Sequence, residues 1–361
     1  MKFALLGAGW RAGFYYRAVR AIEKRLQICC VVENNPETAE QIKNAWRLPT
    51  VKNAGEALKF KPDFFVLCLP PAVLPIILCE ILKYDVPILT ETWAAESVES
   101  MISLYEETKG GRNIQVSEQY PCQPMHSARL SLISSGMLGE VRQVQISVAH
   151  GYHGMALIRR YLGTGYAACT VEGRRFSMNA VKGPGRQGWP VCLSFQQEKQ
   201  DIITVHYKDK WGLLDFSQEQ YFSPMRSSRI LIRGEKGEIF QNEVSCLTEP
   251  YPGFLKFTLR RECSGLDNSL CRAGTVSITG NGKLYYKNPF GPRGMSDEEV
   301  AVATSLCYME QFIKTGESRY SLADELQDQY LDWLAQKAIR TGKPAEGKEM
   351  PWARGKENDG K

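Results

Sequence analysis

Apolar residues follow two regimes along this chain. Over the first 120 residues, short and wholly apolar runs alternate with stretches whose apolar positions recur every three or four residues. That alternation is the mark of a parallel sheet with crossover helices, because a strand covered on both faces keeps no polar positions. Phe3-Ala4-Leu5-Leu6 predicts a first strand, and residues 11–25 a helix with Phe14, Ala18, Val19 and Ile22 on one face. Further strands are expected at 28–32, 64–69, 86–89 and 114–116. Helices are expected from Pro36, where the missing N–H costs nothing, and over 72–83 and 96–108.

After Pro121 the rhythm changes. Residues 125–135 read as a helix punctuated by Gly136 and Gly139, and strand signals then dominate at 141–149, 192–196, 202–207, 229–232, 255–259, 276–278 and 284–286. Many of these alternate apolar and polar positions, as expected of a sheet with one face left to solvent or a partner. Two helices follow. Ser296-Asp297-Glu298-Glu299 is a capping box with Gly316 as its stop, and Ser321 caps a helix whose face carries Leu322, Leu326, Tyr330 and Trp333 up to Gly342. The pattern divides the chain into residues 1–120, a doubly wound parallel α/β lobe; 121–342, an α/β lobe with an open, largely antiparallel sheet; and 343–361, a polar tail pinned by Trp352.

Composition narrows the class. With 361 residues, 43% hydrophobic and 24% charged, the chain is an ordinary globular one of about two domains. A net charge of +5, spread evenly, does not suit a nucleic-acid binder. The longest apolar run, 72–78, is too short to span a bilayer and contains Pro75, and no leader pattern opens the chain, so no membrane partner is expected. Eleven cysteines without a CxxC pair fit a reducing, cytoplasmic setting.

The sharpest chemical signal is Gly7-Ala8-Gly9-Trp10-Arg11-Ala12, a G-x-G-x-x-A turn between a strand and a helix. The first glycine permits the tight turn, the second lets a pyrophosphate approach the backbone, and the small Ala12 lets helix and strand pack closely. The helix N-terminus offers free amides to the phosphates. Glu33, closing the second strand, is placed to accept both ribose hydroxyls, which favours NAD over NADP; Arg11 is the one residue that softens that discrimination.

With these motifs the chain resembles the Gfo/Idh/MocA family of NAD(P)-dependent oxidoreductases, which includes glucose–fructose oxidoreductase and inositol dehydrogenase. The resemblance rests on the glycine turn, Leu69-Pro70-Pro71 after a strand, Glu91 at the head of the family's Glu-Lys-Pro motif, Pro124, the run from Ser135 to Val141, and His153 with Leu157, Ile158 and Leu162-Gly163. It implies a Rossmann lobe, a second α/β lobe often used for oligomerisation, and an active site between them. It also implies a homo-oligomer (dimer or tetramer) and a small-molecule substrate, a sugar or polyol. Pro70, Pro71 and Glu91 would line the nicotinamide half, Gln119 would contact it, and His153 would transfer the proton. Two departures stand out. Glu-Lys-Pro reads Glu91-Thr92-Trp93, so the family lysine is replaced by Thr92, and Ala156 stands where the resemblance places an aspartate.

Three of the four histidines fall between 126 and 153. An imidazole with its ordinary pKa near 6.5 suits proton transfer at neutral pH. Tyr152 and His150 are near enough to orient His153 or to stand in for the lysine, with Thr92 as a further hydroxyl partner. A zinc site from His126, His150 and His153 remains an alternative, although no carboxylate sits at ligand spacing and no metal is expected. A purely structural histidine cluster remains another. Arg159-Arg160 read as a solvated helix face, and residues 182–190, rich in glycine and proline, as a hairpin connection or a lid. The leading functional expectation is an NAD-dependent oxidoreductase acting on a secondary alcohol or ketone. The alternatives are a catalytically silent NAD(H)-binding sensor on the same fold, and redox-assisted elimination or glycoside cleavage with retained NAD.

Overall fold

The computed structural model describes residues 1–354 apart from 23, 24, 94, 267, 268 and 292. Residues 23–24 of the expected first helix and 355–361 of the expected tail lie outside the described residues.

The first series folds as the alternation predicts: β1 (Lys2–Leu6), α1 (Trp10–Ala21), β2 (Gln27–Val32), α2 (Pro36–Trp46), β3 (Thr50–Val51), α3 (Ala54–Ala57), β4 (Phe64–Leu67), α4 (Leu74–Ile81), β5 (Ile88–Thr90), α5 (Val98–Glu107) and β6 (Ile114–Val116). The six strands make one parallel sheet in the order β3-β2-β1-β4-β5-β6. β4 is buried at every position, which is why its sequence carries no polar residue. The strand order reverses at β1 and β4, so the loops leaving their carboxyl ends diverge and open a crevice.

The second lobe begins with α6 (Pro124–Ser134), β7 (Val141–Ser147) and α7 (Gly151–Leu162). There follow β8 (Cys169–Val181), β9 (Phe195–His206), β10 (Trp211–Ser217), β11 (Arg229–Gly234), β12 (Gly237–Phe240), β13 (Glu243–Thr248) and β14 (Gly253–Thr258). A separate three-stranded sheet, β15 (Arg260–Leu266), β16 (Ser269–Gly280) and β17 (Lys283–Lys287), precedes α8 (Asp297–Thr315) and α9 (Leu322–Thr341). β18 (Ala345–Gly347) and α10 (Pro351–Arg354) close the described chain. The large sheet runs β14-β13-β12-β11-β7-β10-β9-β8-β18, antiparallel except for the β7–β10 pair. Its inner face, with Val144, Ile146, Val171, Ile203, Val205 and Leu214 buried, packs under α7 and α9.

Three features differ from the sequence reading. β8, β10, β12, β13, β15 and β18 escaped it; in β8, the longest of them, most positions lie outside the core and the side chains keep no apolar alternation. In place of separate strands at 192–196 and 202–207, one continuous β9 runs from Phe195 to His206, held in register by its long pairing with β8, and 192–194 are not strand. And α8, far along the chain, returns to the first sheet, where Val300, Ala303 and Leu306 share a core with Phe3, Leu5, Phe14 and Val19. Both late helices carry the expected caps, with Ser296/Glu299 and Ser321/Asp324 bonding reciprocally. Among the described residues, no helix is long and apolar enough to cross a membrane.

The tail is tied down twice, by β18 on β8 and by Trp352. Trp352 is fully buried, donates its indole N–H to Gln327 Oε1 at 2.9 Å, and packs edge-on against Tyr105 of α5 and Tyr330 of α9. It therefore bridges a helix of the first lobe and one of the second. Trp352→Ala is expected to cost about 3–5 kcal/mol in urea unfolding.

Candidate active site

The crevice at the β1 and β4 ends continues to the N-terminus of α7 as a cleft of about 860 Å³. Gly7, Ala8, Gly9, Trp10 and Arg11 form one wall, with Glu33 beyond them; Leu69, Pro70, Pro71, Glu91, Thr92 and Gln119 form another, and Tyr152 and His153 close the far end. Of the residues expected to bind the cofactor or carry catalysis, only Ala12 stays out of the cleft: it is fully buried, in the helix–strand contact.

The glycine turn has the form a bound diphosphate requires. Gly7 sits at φ +98°, and a Cβ there would lie 2.4 Å from the Cys68 carbonyl oxygen, so only glycine fits. Gly9 faces open space, leaving room for a ligand against the backbone. It caps α1 without any side-chain hydrogen bond, and the first turn holds no acidic residue, so the amides and the positive end of the helix are unneutralised. Glu33 accepts from the Asn35 amide through Oε1 at 2.9 Å. At the inner end, Gln119 Oε1 is buried without a partner, an acceptor suited to an amide N–H such as that of a carboxamide.

Glu91 lines the cleft but has both oxygens engaged. Tyr15 donates to Oε1 at 2.5 Å, and the Arg11 guanidinium pairs with Oε2 at 3.0 Å. Burial opposes the charge on Arg11, yet Glu91 more than offsets this and holds its pKa above the ordinary value. Glu91 thus ties α1 to the end of β5. Next to it, the Thr92 hydroxyl hydrogen-bonds Tyr152, whose phenol is pushed up by burial and keeps its proton. Trp93 is buried.

The histidines separate into two groups. His153 Nδ1 lies 2.5 Å from Glu118 Oε2, and Glu118, buried at the end of β6, also accepts from the Tyr120 amide at 3.0 Å. A carboxylate at Nδ1 fixes that nitrogen as the donor and leaves Nε2 as the acceptor. His150 stands 5.2 Å from His153, ring centre to ring centre, with Nδ1 2.5 Å from the Tyr221 hydroxyl. Burial, and then the neighbouring His153, lowers its pKa to about 4, so it is neutral at physiological pH. His126 is elsewhere: its Nδ1 meets the Tyr161 hydroxyl at 2.7 Å, burial drives its pKa well down, and it does not line the cleft. Among the described residues no group of three His, Cys, Asp or Glu side chains is arranged to hold a metal.

Sequence reasoning assigned Glu118 no role; nothing local distinguishes it from a surface glutamate. Tyr221 gave no signal at all. Arg159, read as part of a solvated face, is instead buried, with Nε 2.7 Å from Asp328 Oδ1 and Nη1 3.2 Å from Asp324 Oδ1. Its partners lie on α9, more than 160 residues away, beyond any local pattern. Asp332, one turn further along α9, packs against the start of α7. A Cβ on Gly151, itself at φ +44°, would lie 2.8 Å from Asp332 Oδ2.

Residues 1–118 match the GFO_IDH_MocA model, described as an oxidoreductase family with an NAD-binding Rossmann fold. No curated protein sequence matches the chain. Solved structures resemble it over nearly their full length. One is an oxidoreductase from Agrobacterium radiobacter in complex with NAD+, L-tartaric acid and magnesium, 15% identical, with a TM-score of 0.67 over 96% of this chain and 98% of the other. Another is a myo-inositol dehydrogenase from Corynebacterium glutamicum, 14% identical, with a TM-score of 0.64 over 96% and 98%. A third is a levoglucosan dehydrogenase in complex with NADH, 14% identical, with a TM-score of 0.69 over 97% and 100%. At these identities the likeness is one of fold.

Burial raises the Asp332 carboxyl from 3.8 to about 6. The folded state therefore favours its protonated form. This contribution is complete below pH 3.8 and is lost as pH rises through about 6. Asp332→Asn is expected to stabilise the protein at pH 8 by roughly 1–2 kcal/mol, with the advantage vanishing near pH 4, as read from paired urea melts.

Proposed function

We propose that the chain is an NAD-dependent oxidoreductase of the Gfo/Idh/MocA family that transfers hydride between the nicotinamide and a secondary alcohol or ketone carbon of a sugar or polyol. The observation that carries this reading is the Glu118–His153 pair at the inner end of a cleft whose outer end is the glycine turn. The matched family model over residues 1–118 supports the cofactor, and the neighbours solved with NAD+ or NADH support it further. Glu33, with Oε1 already held by the Asn35 amide, favours NAD, since a 2′-phosphate would meet like charge.

The dinucleotide, when bound, supplies or accepts the hydride. The protein supplies the rest. Free amides at Trp10 and Arg11 receive the diphosphate, and the Gln119 acceptor holds the carboxamide in one orientation. His153 Nε2 takes the proton of the substrate hydroxyl during oxidation and returns it during reduction, while Glu118 keeps Nδ1 protonated and steadies the imidazolium that forms. The Thr92–Tyr152 pair offers a hydroxyl donor where the family carries lysine. Such a donor binds a substrate oxygen but brings no full positive charge, so His153 carries more of the charge stabilisation.

A second cavity, of about 500 Å³, continues past His150 and Gly151. Gln196, Gln197, Gln336 and Arg175 line it, and amides able both to donate and to accept suit a polyhydroxylated substrate. We assign homo-oligomer formation to the outer face of the large sheet, where Phe176, Ile202, Trp211, Phe240, Leu247 and Phe254 are exposed and share one face by strand register.

Oxidation of sugars and polyols in the presence of NAD, followed by NADH absorbance, tests the activity. His153→Ala is expected to lower kcat by about 10²–10⁴-fold. Glu118→Gln is expected to lower it on the order of 10–100-fold with KM little changed, since it disturbs the imidazole and not the substrate contacts. NADH binding without turnover of any such substrate would favour the silent-sensor reading instead.

A further inference from the structure

The cleft contains three carboxylates, Glu33, Glu91 and Glu298, and two cations, Arg11 and Arg186. Arg11 is committed to Glu91. A dinucleotide would bring an anionic diphosphate into this already acidic surround, and helix amides alone leave that charge partly unbalanced. Among the described residues, Arg186 is the one cation lining the cleft that has no carboxylate within ion-pair distance.

Arg186 belongs to the second lobe. It lies at the apex of the connection between β8 and β9, whose base is pinned by Lys182 N–H to the Ser194 carbonyl at 2.9 Å and by Gly183 N–H to Glu219 Oε2 at 3.1 Å. The Gly185 and Gly188 backbones exchange hydrogen bonds of 3.0 and 2.9 Å, which leaves Arg186 and Gln187 as a two-residue tip. From this tip the guanidinium lies over the Trp10 ring, 4.3 Å from its centre. Trp10 is the first residue of α1 and half exposed, so the stacking holds a planar cation beside the amides of the glycine turn. The tip is exposed, and this ring contact ties it to the first lobe.

We propose that Arg186 is a cofactor-binding residue delivered from the second lobe: it clamps the dinucleotide diphosphate against the glycine turn, with Trp10 as the platform that presents it. A guanidinium offers paired N–H donors that match two phosphate oxygens, which the backbone turn on the other side cannot supply from this direction. The assignment rests on the dinucleotide-binding reading and adds to it a contact that crosses the seam, so cofactor occupancy and closure of the lobes reinforce each other. It also accounts for an exposed, uncommitted arginine at the end of an ordered hairpin.

The test is a fluorescence titration of NADH against the full chain, wild type beside Arg186→Met and Arg186→Lys, at low and at high salt. Arg186→Met is expected to weaken NADH binding about tenfold at low salt, with the gap narrowing at high salt. Arg186→Lys is expected to fall between the two, because it keeps the charge and loses the paired donors. ADP-ribose, which keeps the diphosphate, is expected to lose affinity by the same factor as NADH, whereas adenosine, measured by competition, is expected to lose none. Wild type that binds NADH, with Arg186→Met within twofold of it, overturns the clamp alone. Equal weakening of adenosine overturns its assignment to the diphosphate. Wild type that binds no NADH overturns the dinucleotide reading and the clamp with it.

Discussion

The hydrogen bond between Glu118 and His153 joins the last strand of the first lobe to the helix that opens the second lobe's side of the cleft. It is short, at 2.5 Å, and Glu118 is buried, so its carboxylate depends on the imidazole and on the Tyr120 amide in place of water. The rest of the site takes its arrangement from this contact. It sets which ring nitrogen faces the cleft, it ties α7 to the segment that follows β6, and it lies next to Tyr152 and Thr92.

Around that contact, charge is distributed unevenly. α7 and α9 carry an ionic network away from the cleft: Arg159 meets Asp324 and Asp328 in the α7–α9 interface, where burial requires that each charge be matched. Within the cleft, Glu91 is spent on Arg11 and Tyr15, and the positive end of α1 is left bare. The result is a structural network that fixes α1 against β5 and a separate, unneutralised helix terminus beside it. This division keeps Glu91 from being an unpaired buried acid, although Thr92 brings no cation beside it. Its carboxylate finds its cation on α1 instead.

Much of the first lobe was legible because its determinants are local. Wholly apolar strands, the Gly7–Gly9 turn and the position of Pro36 each act within a few residues. The second lobe was only partly legible. β8 is long because twelve successive residues pair with β9, not because its own side chains alternate. The return of α8 to the first sheet is likewise a matter of which apolar faces remained uncovered.

The sequence by itself determined the strand–turn–helix that opens the chain and the caps that begin and end the late helices. These rest on backbone sterics and on hydrogen bonds between near neighbours, which each short segment specifies alone. Tertiary structure decided that Glu118 serves His153, that His126 does not share its site, that Arg159 is buried, and that Arg186 reaches Trp10. Each of those outcomes joins residues tens to hundreds of positions apart. Their contact energies depend on burial and on charge pairing, quantities that exist only once the two lobes have packed together.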